Sequence, residues 1–172
     1  RYFRKSPFAA RLLREHQIHA GAKVQPLRGA NKTRWGPTLD MLQCLLQSRG
    51  AVTSCIGALH DNSTKTELPT NLTEREWPNV AAIIQLLQPF QIATEFFSRQ
   101  QSPTISLMLP ILHNLRVHLV VDPADRVIVK ERKLVLLQKL DEVTQHWKPI
   151  EHLQPLACYL DPRTKVKFTL LW

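Results

Sequence analysis

Hydrophobic residues along this chain recur mainly every three or four positions, which is the spacing of one face of an α-helix. A clear example runs through Ile105, Met108, Leu112, Leu115 and Leu119. No stretch alternates with a period of two between hairpin turns, as the strands of an antiparallel sheet do. The pattern therefore predicts an all-α fold, an irregular array of about seven to nine helices.

The first long helix has a recognisable start and end in the sequence. Ser6 followed by Pro7 matches an N-cap and the first helical position, and Gly21 matches a C-terminal stop. We therefore expect a helix from about Pro7 to about His19 and a loop over residues 22–32. The apolar side of this helix is predicted to hold Phe8, Leu12 and Ile18.

The next segment reads as two helices and an exposed loop. Thr33 is a candidate cap for a helix that runs to about Ser48. Gly50 should break or kink the chain before a short helix over residues 51–59. Residues 60–72 are polar and contain a proline, which indicates a loop on the surface.

Two further helix starts have cap signals. Thr73 with Glu76 three residues later forms a capping box, and Pro89 is expected to kink the helix that follows without ending it. Asp122 and Pro123 are predicted to open a later helix. The buried face of that later helix is predicted to consist of Val129, Leu136, Leu140, Val143 and Trp147.

Positive charge is concentrated at the start of the chain. Residues 1–35 carry nine basic residues against Glu15 alone, whereas residues 36–172 carry 14 basic and 13 acidic residues. A basic segment on a nearly neutral body is typical of proteins that bind a polyanion, above all nucleic acid. A solvated basic helix without a partner, an acidic protein and a membrane surface are the alternatives.

Composition and cysteine usage narrow the protein class. No apolar run reaches 18 residues and no signal peptide is recognisable, which argues against membrane insertion and secretion. The three cysteines, Cys44, Cys55 and Cys158, include no CxxC pair and fit reduced, buried thiols of an intracellular protein. A chain that starts at Arg1 without Met suggests a piece of a longer protein.

No group of residues predicts catalysis or metal binding within this chain. The cysteines and histidines lack the spacing of a zinc site, and no GxSxG motif is present. The acidic residues fall at helix starts or on polar faces, and Asp161 before Pro162 fits a turn or a cap. We therefore expect no cofactor in this chain, and we do not expect it to be a complete enzyme.

Thr33-Arg34-Trp35 is the motif with the most suggestive chemistry. It follows a basic loop that contains Arg28 and Lys32, and it precedes a predicted helix. An arginine beside an indole can contact a phosphate while the ring stacks on a base. A tryptophan at this position could equally anchor the helix start in the core, and the spacing alone does not separate the two roles.

Five short motifs, spread over nearly the whole chain in a characteristic order, resemble those of a known family. The family is the hAT superfamily of DNA transposases, with its domesticated descendants among BED-type zinc finger proteins. The motifs are Tyr2-Phe3-Arg4-Lys5-Ser6, Thr33-Arg34-Trp35 with Asp40-Met41-Leu42, Leu87-Gln88-Pro89-Phe90 with Ala93-Thr94-Glu95, Ser102-Pro103-Thr104-Ile105-Ser106-Leu107 with Leu109-Pro110, and Ala157-Cys158-Tyr159-Leu160-Asp161-Pro162-Arg163.

The resemblance implies that this chain is the helical insertion of an RNase H-like catalytic domain. The three catalytic carboxylates with their Mg²⁺ or Mn²⁺ ions, the zinc finger and the dimerisation segment would then all lie elsewhere in the parent protein. The Arg-Trp pair sits near the active site in that family, and its tryptophan handles an unpaired or flipped base. Gly36-Pro37 replaces the family's usual Asn-Ser, which makes a domesticated, DNA-binding descendant plausible.

These arguments define a set of expectations. Residues 1–172 form one helical domain fragment, with a basic helix and loop at 1–35 and a helical body at 36–172. Its partner is DNA, its location is the nucleus, and self-association could occur through the parent protein. The alternative function is a non-catalytic helical scaffold for protein partners in a nuclear regulator. The expected DNA-binding residues are Arg4, Lys5, Arg11, Arg14, Arg28, Lys32, Arg34 and Trp35.

Overall fold

The computed structural model describes residues 2–30, 36–61, 68–98, 105–148 and 152–164. Within these ranges the chain forms eight helices and no strand, which confirms the predicted all-α class. The helices are α1 (Tyr2–Lys5), α2 (Pro7–His19), α3 (Gly36–Gln47), α4 (Arg49–Asp61), α5 (Trp77–Phe97), α6 (Ile105–His118), α7 (Val127–Gln145) and α8 (Leu153–Leu160).

The chain divides into two compact units, Arg1–Ile84 and Gln85–Trp172, and the division falls within α5. In the first unit α2 packs on α4. Helix α1 packs on α2, and α3 packs on α4. In the second unit α6 packs on α8. The subdivision that the sequence suggested after residue 35 stays a prediction.

The core of the first unit forms between α2 and α4. Its fully or nearly fully buried members are Ala9, Leu13, Ala51, Val52, Cys55, Ile56 and Leu59. The aromatic residues of α1, Tyr2 and Phe3, pack against this cluster from one side. Because small residues such as Ala9 and Ala51 line the contact, the two helices can approach closely.

The boundaries of α2 are those predicted, but its buried face is different. The Ser6 hydroxyl accepts a hydrogen bond from the backbone N–H of Ala9 at 3.2 Å, and Gly21 adopts a left-handed φ of 61° after the helix. Of the three residues predicted for its apolar side, Phe8 and Ile18 are more than half exposed, whereas Leu12 packs against the core. The buried positions are Ala9, Leu13 and Gln17, which follow each other at intervals of four.

The break between α3 and α4 occurs two residues earlier than predicted, at Ser48 and not at Gly50. Gly50 lies inside α4, and the interruption falls at the buried Ser48. The backbone N–H of Ser48 still donates to the carbonyl of Cys44, and its own carbonyl accepts from Val52 N–H. The two helices are therefore connected by continuous backbone hydrogen bonding. The candidate cap Thr33 lies outside the described residues.

α5 follows the predicted cap and passes through Pro89 without interruption. Glu76 accepts hydrogen bonds from both the backbone N–H and the hydroxyl of Thr73, each at 2.8 Å, and these bonds lower the pKa of Glu76. His118 of α6 hydrogen-bonds the Leu86 carbonyl at 3.1 Å near the proline. By length and composition α5 would be able to cross a membrane, a test that helices of many soluble proteins also pass.

The predicted start of α7 was wrong, and its buried face was predicted only in part, since Val129 is buried as expected. Residues 122–125 form a turn in which Asp122 N–H donates to Asp125 Oδ2 at 2.8 Å, so the helix begins only at Val127. Lys133 is buried beside Val129, while Val143 is about half exposed. The Lys133 ammonium donates to Asp125 Oδ2 at 2.7 Å and to the Val120 carbonyl at 2.9 Å, which compensates its burial.

Candidate functional site

The first two of the predicted basic residues lie on α1, beside the aromatic residues that attach this helix to the core. In α1 the aromatic rings of Tyr2 and Phe3 meet edge to face at 6.0 Å and pack on the core. Arg4 and Lys5 follow on the same short helix and are exposed. The apolar half of the motif therefore anchors α1, and its basic half is presented to solvent.

A buried glutamine fastens the loop that follows α2. The Gln17 amide, 1% exposed, donates to the Gln25 carbonyl at 2.9 Å and accepts from the Gln25 N–H at 3.2 Å. Its Nε2 also lies 3.4 Å from Ser48 Oγ. Farther along the loop the Cys44 thiol points at the Pro26 carbonyl at 3.7 Å. These contacts hold residues 25–26 against α2 and α3.

The fixed loop and α1 together form a basic groove. It has a volume of about 540 Å³ and is lined by Arg4, Lys5, Arg28, Gly29, Ala30 and Met41. The Arg4 guanidinium lies so close to Gly29 that a Cβ atom there would be 1.8 Å from Nη1. A side chain at residue 29 would therefore displace Arg4 from its position in the groove.

A second groove shares Arg4 with the first and is more apolar. It has a volume of about 510 Å³, and Phe3, Leu13 and Leu27 are among the residues that form its walls. Arg14 also lines it. Arg4 and Arg14 thus place positive charge beside an apolar depression, an arrangement that suits a phosphate-bearing ligand with a flat, apolar part.

The predicted basic residues differ in how far acidic neighbours neutralise them. Arg11 lies 3.7 Å from Glu15 and Arg28 lies 3.1 Å from Asp40, both in exposed pairs. In the part of the chain that the structure describes, no carboxylate lies within 4 Å of the cationic groups of Arg4, Lys5 and Arg14. We call these three residues the basic triad. No ion pair within the described chain therefore competes with an anionic partner for these three residues.

Three of the expected DNA-binding residues, Lys32, Arg34 and Trp35, lie outside the described residues. The described chain stops at Ala30, which lines the basic groove, and resumes at Gly36, the first residue of α3. Among the described residues, Arg4, Lys5 and Arg28 line the basic groove, and Arg14 lines the second groove. Arg11 lies on α2, with its Cζ atom 5.9 Å from the centre of the Phe8 ring.

Sequence reasoning missed two residues that shape this site. Gln17 occupies the position four residues after the buried Leu13, so the helical period alone would have marked it as inward-facing. Gly29 gives no such signal, because its importance comes from the Arg4 side chain that lies against it. The two residues act by positioning, since one holds the loop and the other leaves room for a guanidinium.

The acidic and thiol groups do not form a reactive centre in the described ranges. No group of three or more His, Cys, Asp or Glu side chains there could hold a metal ion. All three cysteines are buried, as predicted, and burial raises the pKa of the Cys55 thiol to about 11. A thiol with this pKa stays protonated near neutral pH and is a poor nucleophile.

Asp161 has the turn role that the sequence suggested. Its carboxylate accepts hydrogen bonds from the Arg163 backbone N–H at 2.9 Å and from the Ser106 hydroxyl at 2.5 Å. The Arg163 guanidinium, followed by the Ser106 hydroxyl, lowers the pKa of Asp161 well below its usual range. The Cys158 thiol also donates to the Ser106 carbonyl. These bonds connect the end of α8 to the start of α6.

Comparisons of this chain with models of protein families, with curated proteins and with solved structures found no match.

Proposed function

We propose that this chain binds DNA through a basic N-terminal surface, formed by the basic triad, Arg28 and the Arg-Trp motif. The observation that carries the proposal is the basic triad, three exposed cations with no carboxylate neighbour in the described residues, beside two grooves. Non-specific DNA affinity comes mainly from cations that neutralise phosphates, so cations free of acidic neighbours contribute most.

The finer proposal concerns the parent protein. The chain would be the helical insertion of an RNase H-like domain in an hAT-like transposase or a domesticated, nuclear descendant. It would position DNA ends, while the carboxylates, metal ions and zinc finger of the parent perform the chemistry and other binding steps. The five motifs in family order support this assignment, and Gly36-Pro37 favours the domesticated descendant.

A salt titration tests the proposal. The affinity for duplex DNA, measured by fluorescence anisotropy, should fall linearly on a log–log plot against salt, with a slope of about −0.9 per phosphate contact. Five contacts at Arg4, Lys5, Arg14, Arg28 and Arg34 predict a slope of about −4 to −5. No measurable binding to duplex or hairpin DNA at low salt would exclude the proposed function.

Trp35→Ala should weaken binding to hairpin or unpaired ends more than binding to plain duplex. The indole would stack on a base only where that base is out of the duplex, and stacking of this kind contributes about 1–3 kcal/mol per base. Parallel anisotropy titrations with a hairpin and a blunt duplex of equal length measure the difference. Equal losses on both would favour a role for Trp35 in anchoring the helix start.

A second candidate is a scaffold that binds protein partners. The observation in its favour is the set of exposed apolar residues on α7 and α8, namely Val127, Leu134, Val135, Leu153, Leu156 and Leu160. Leu153, Leu156 and Leu160 follow one another at intervals of three and four, so they share one exposed face of α8. No measurable duplex binding at low salt, together with a stable fold, would favour this candidate over the first.

A further inference from the structure

The second unit contains a small groove whose lining differs from that of the basic N-terminal surface. Its volume is about 200 Å³, and Leu109, Leu112, Trp147, Lys148 and Gln154 are among its lining residues. Pockets that enclose drug-sized ligands usually measure about 300–1,000 Å³. This groove is therefore suited to one flat ring whose remaining parts stay outside.

Gln154 is the unusual residue in this groove. The residue is only 4% exposed, yet its amide has no hydrogen-bond partner among the residues that the structure describes. The amide is not sealed from solvent, because in the described residues the Trp77 indole nitrogen is the only buried side-chain polar atom without a partner. The donor and acceptor of Gln154 thus open into the groove and remain available for a ligand.

The other lining residues of the groove offer an apolar surface and a positive charge beside the Gln154 amide. Leu109 and Leu112 provide an apolar surface, and Trp147 provides an aromatic ring beside it. Arg116 also lines the groove, but its guanidinium already donates to Asp141 Oδ1 at 2.7 Å and to the Thr144 hydroxyl at 3.3 Å. Lys148 is exposed and forms no ion pair with a described carboxylate, so it is the cation available to an anionic ligand.

We propose that this groove binds one unpaired nucleotide, whose base stacks on Trp147 and hydrogen-bonds the Gln154 amide while Lys148 contacts its phosphate. A glutamine amide offers a donor and an acceptor side by side, which matches the donor and acceptor pairs at the edges of nucleobases. A base inside a duplex is covered on both faces and cannot enter a groove of this kind. The site is separate from the N-terminal surface and does not depend on its function.

The test compares a short single-stranded oligothymidylate with a strand of equal length in which the bases are replaced by abasic sites. The full chain carries Arg4→Gln, Lys5→Gln, Arg14→Gln and Trp35→Ala, so that neither the basic triad nor the Trp35 indole contributes much to binding. We expect the abasic strand to bind about tenfold more weakly, because it keeps the phosphates but has no base to stack. Trp147→Leu should lower the affinity for oligothymidylate to that of the abasic strand.

Gln154→Leu separates a ligand-binding role from a structural one. Because the amide has no partner in the described part of the chain, its replacement by a side chain of similar size should leave the thermal midpoint unchanged or raise it. The same variant should bind oligothymidylate several-fold more weakly. Gln88→Leu, which changes an exposed glutamine of α5 outside this groove, should alter neither property.

Equal affinity for the abasic strand, or unchanged oligothymidylate binding in both Trp147→Leu and Gln154→Leu, would overturn the nucleotide site. A clear fall in the thermal midpoint of Gln154→Leu would also contradict it, because it would indicate a structural hydrogen bond. None of these results concerns duplex binding at the N-terminal surface. Loss or retention of duplex affinity in the basic triad variant tests that function separately.

Discussion

Replacing Arg4, Lys5 and Arg14 together with glutamine should lower the affinity for duplex DNA on the order of a hundredfold at about 0.1 M salt. The slope of the log–log salt plot should become shallower by about 3, because each lost phosphate contact removes about 0.9. Glutamine keeps most of each side chain's length, so the variant loses charge with little loss of packing. Anisotropy titrations at several salt concentrations measure both quantities.

The matched control removes the same amount of charge elsewhere. Arg75, Arg126 and Arg132 are exposed, and no carboxylate of the described chain lies within ion-pair distance of them. Changing these three residues to glutamine should leave the slope nearly unchanged. If both triple variants lose the same affinity, overall charge rather than the basic triad determines binding, and the proposed surface is wrong.

Arg11 and Arg28 are expected to contribute less than the basic triad. A phosphate must compete with Glu15 for Arg11 and with Asp40 for Arg28. Both pairs are exposed, and pairs of this kind contribute at most about 1 kcal/mol, so the competition is weak but not absent. The sequence placed all these arginines in one basic segment, and only the structure distinguishes those with acidic neighbours from those without.

Several helix boundaries, although not the start of α7, were predictable because they depend on local chemistry. The Ser6 cap, the left-handed Gly21 and the Thr73–Glu76 turn each use side chains and backbone groups within a few residues. Pro89 was also placed correctly inside a continuing helix. Hydrogen bonds and backbone conformations within a few residues determine these features, so the sequence pattern contains the required information.

Buried faces were less predictable, because burial of a polar group depends on distant partners. Gln17 is buried since the backbone of Gln25 satisfies its amide, and Lys133 is buried since Asp125 and the Val120 carbonyl satisfy its ammonium. Hydrophobicity alone favours Phe8 over Gln17 for the interior, and the structure reverses that order. Gln154 was missed for a different reason, because nothing in the hydrophobic pattern predicts a buried amide without a partner in the described chain.

Trp77→Ala should reduce the free energy of unfolding by about 3–5 kcal/mol, the usual cost of removing a fully buried aromatic ring. Trp77 is 1% exposed, and the Arg49 guanidinium lies over its ring at 5.3 Å from the centroid. Arg49 also pairs with Glu74 in the turn before α5. Loss of the ring would leave a cavity and free Arg49 from its position. Urea unfolding followed by circular dichroism measures the change.

Two further substitutions make this prediction specific. Trp77→Phe should cost clearly less, because it keeps a ring beneath Arg49 and removes an indole N–H that has no partner in the described residues. Trp147→Ala should also cost less, since Trp147 is only partly buried and its proposed role is to bind a base. A loss below about 0.5 kcal/mol for Trp77→Ala, the range of surface substitutions, would contradict its buried position. If Trp147→Ala lowers the free energy of unfolding as much as Trp77→Ala does, Trp147 belongs to the core. Its proposed stacking role would then be wrong.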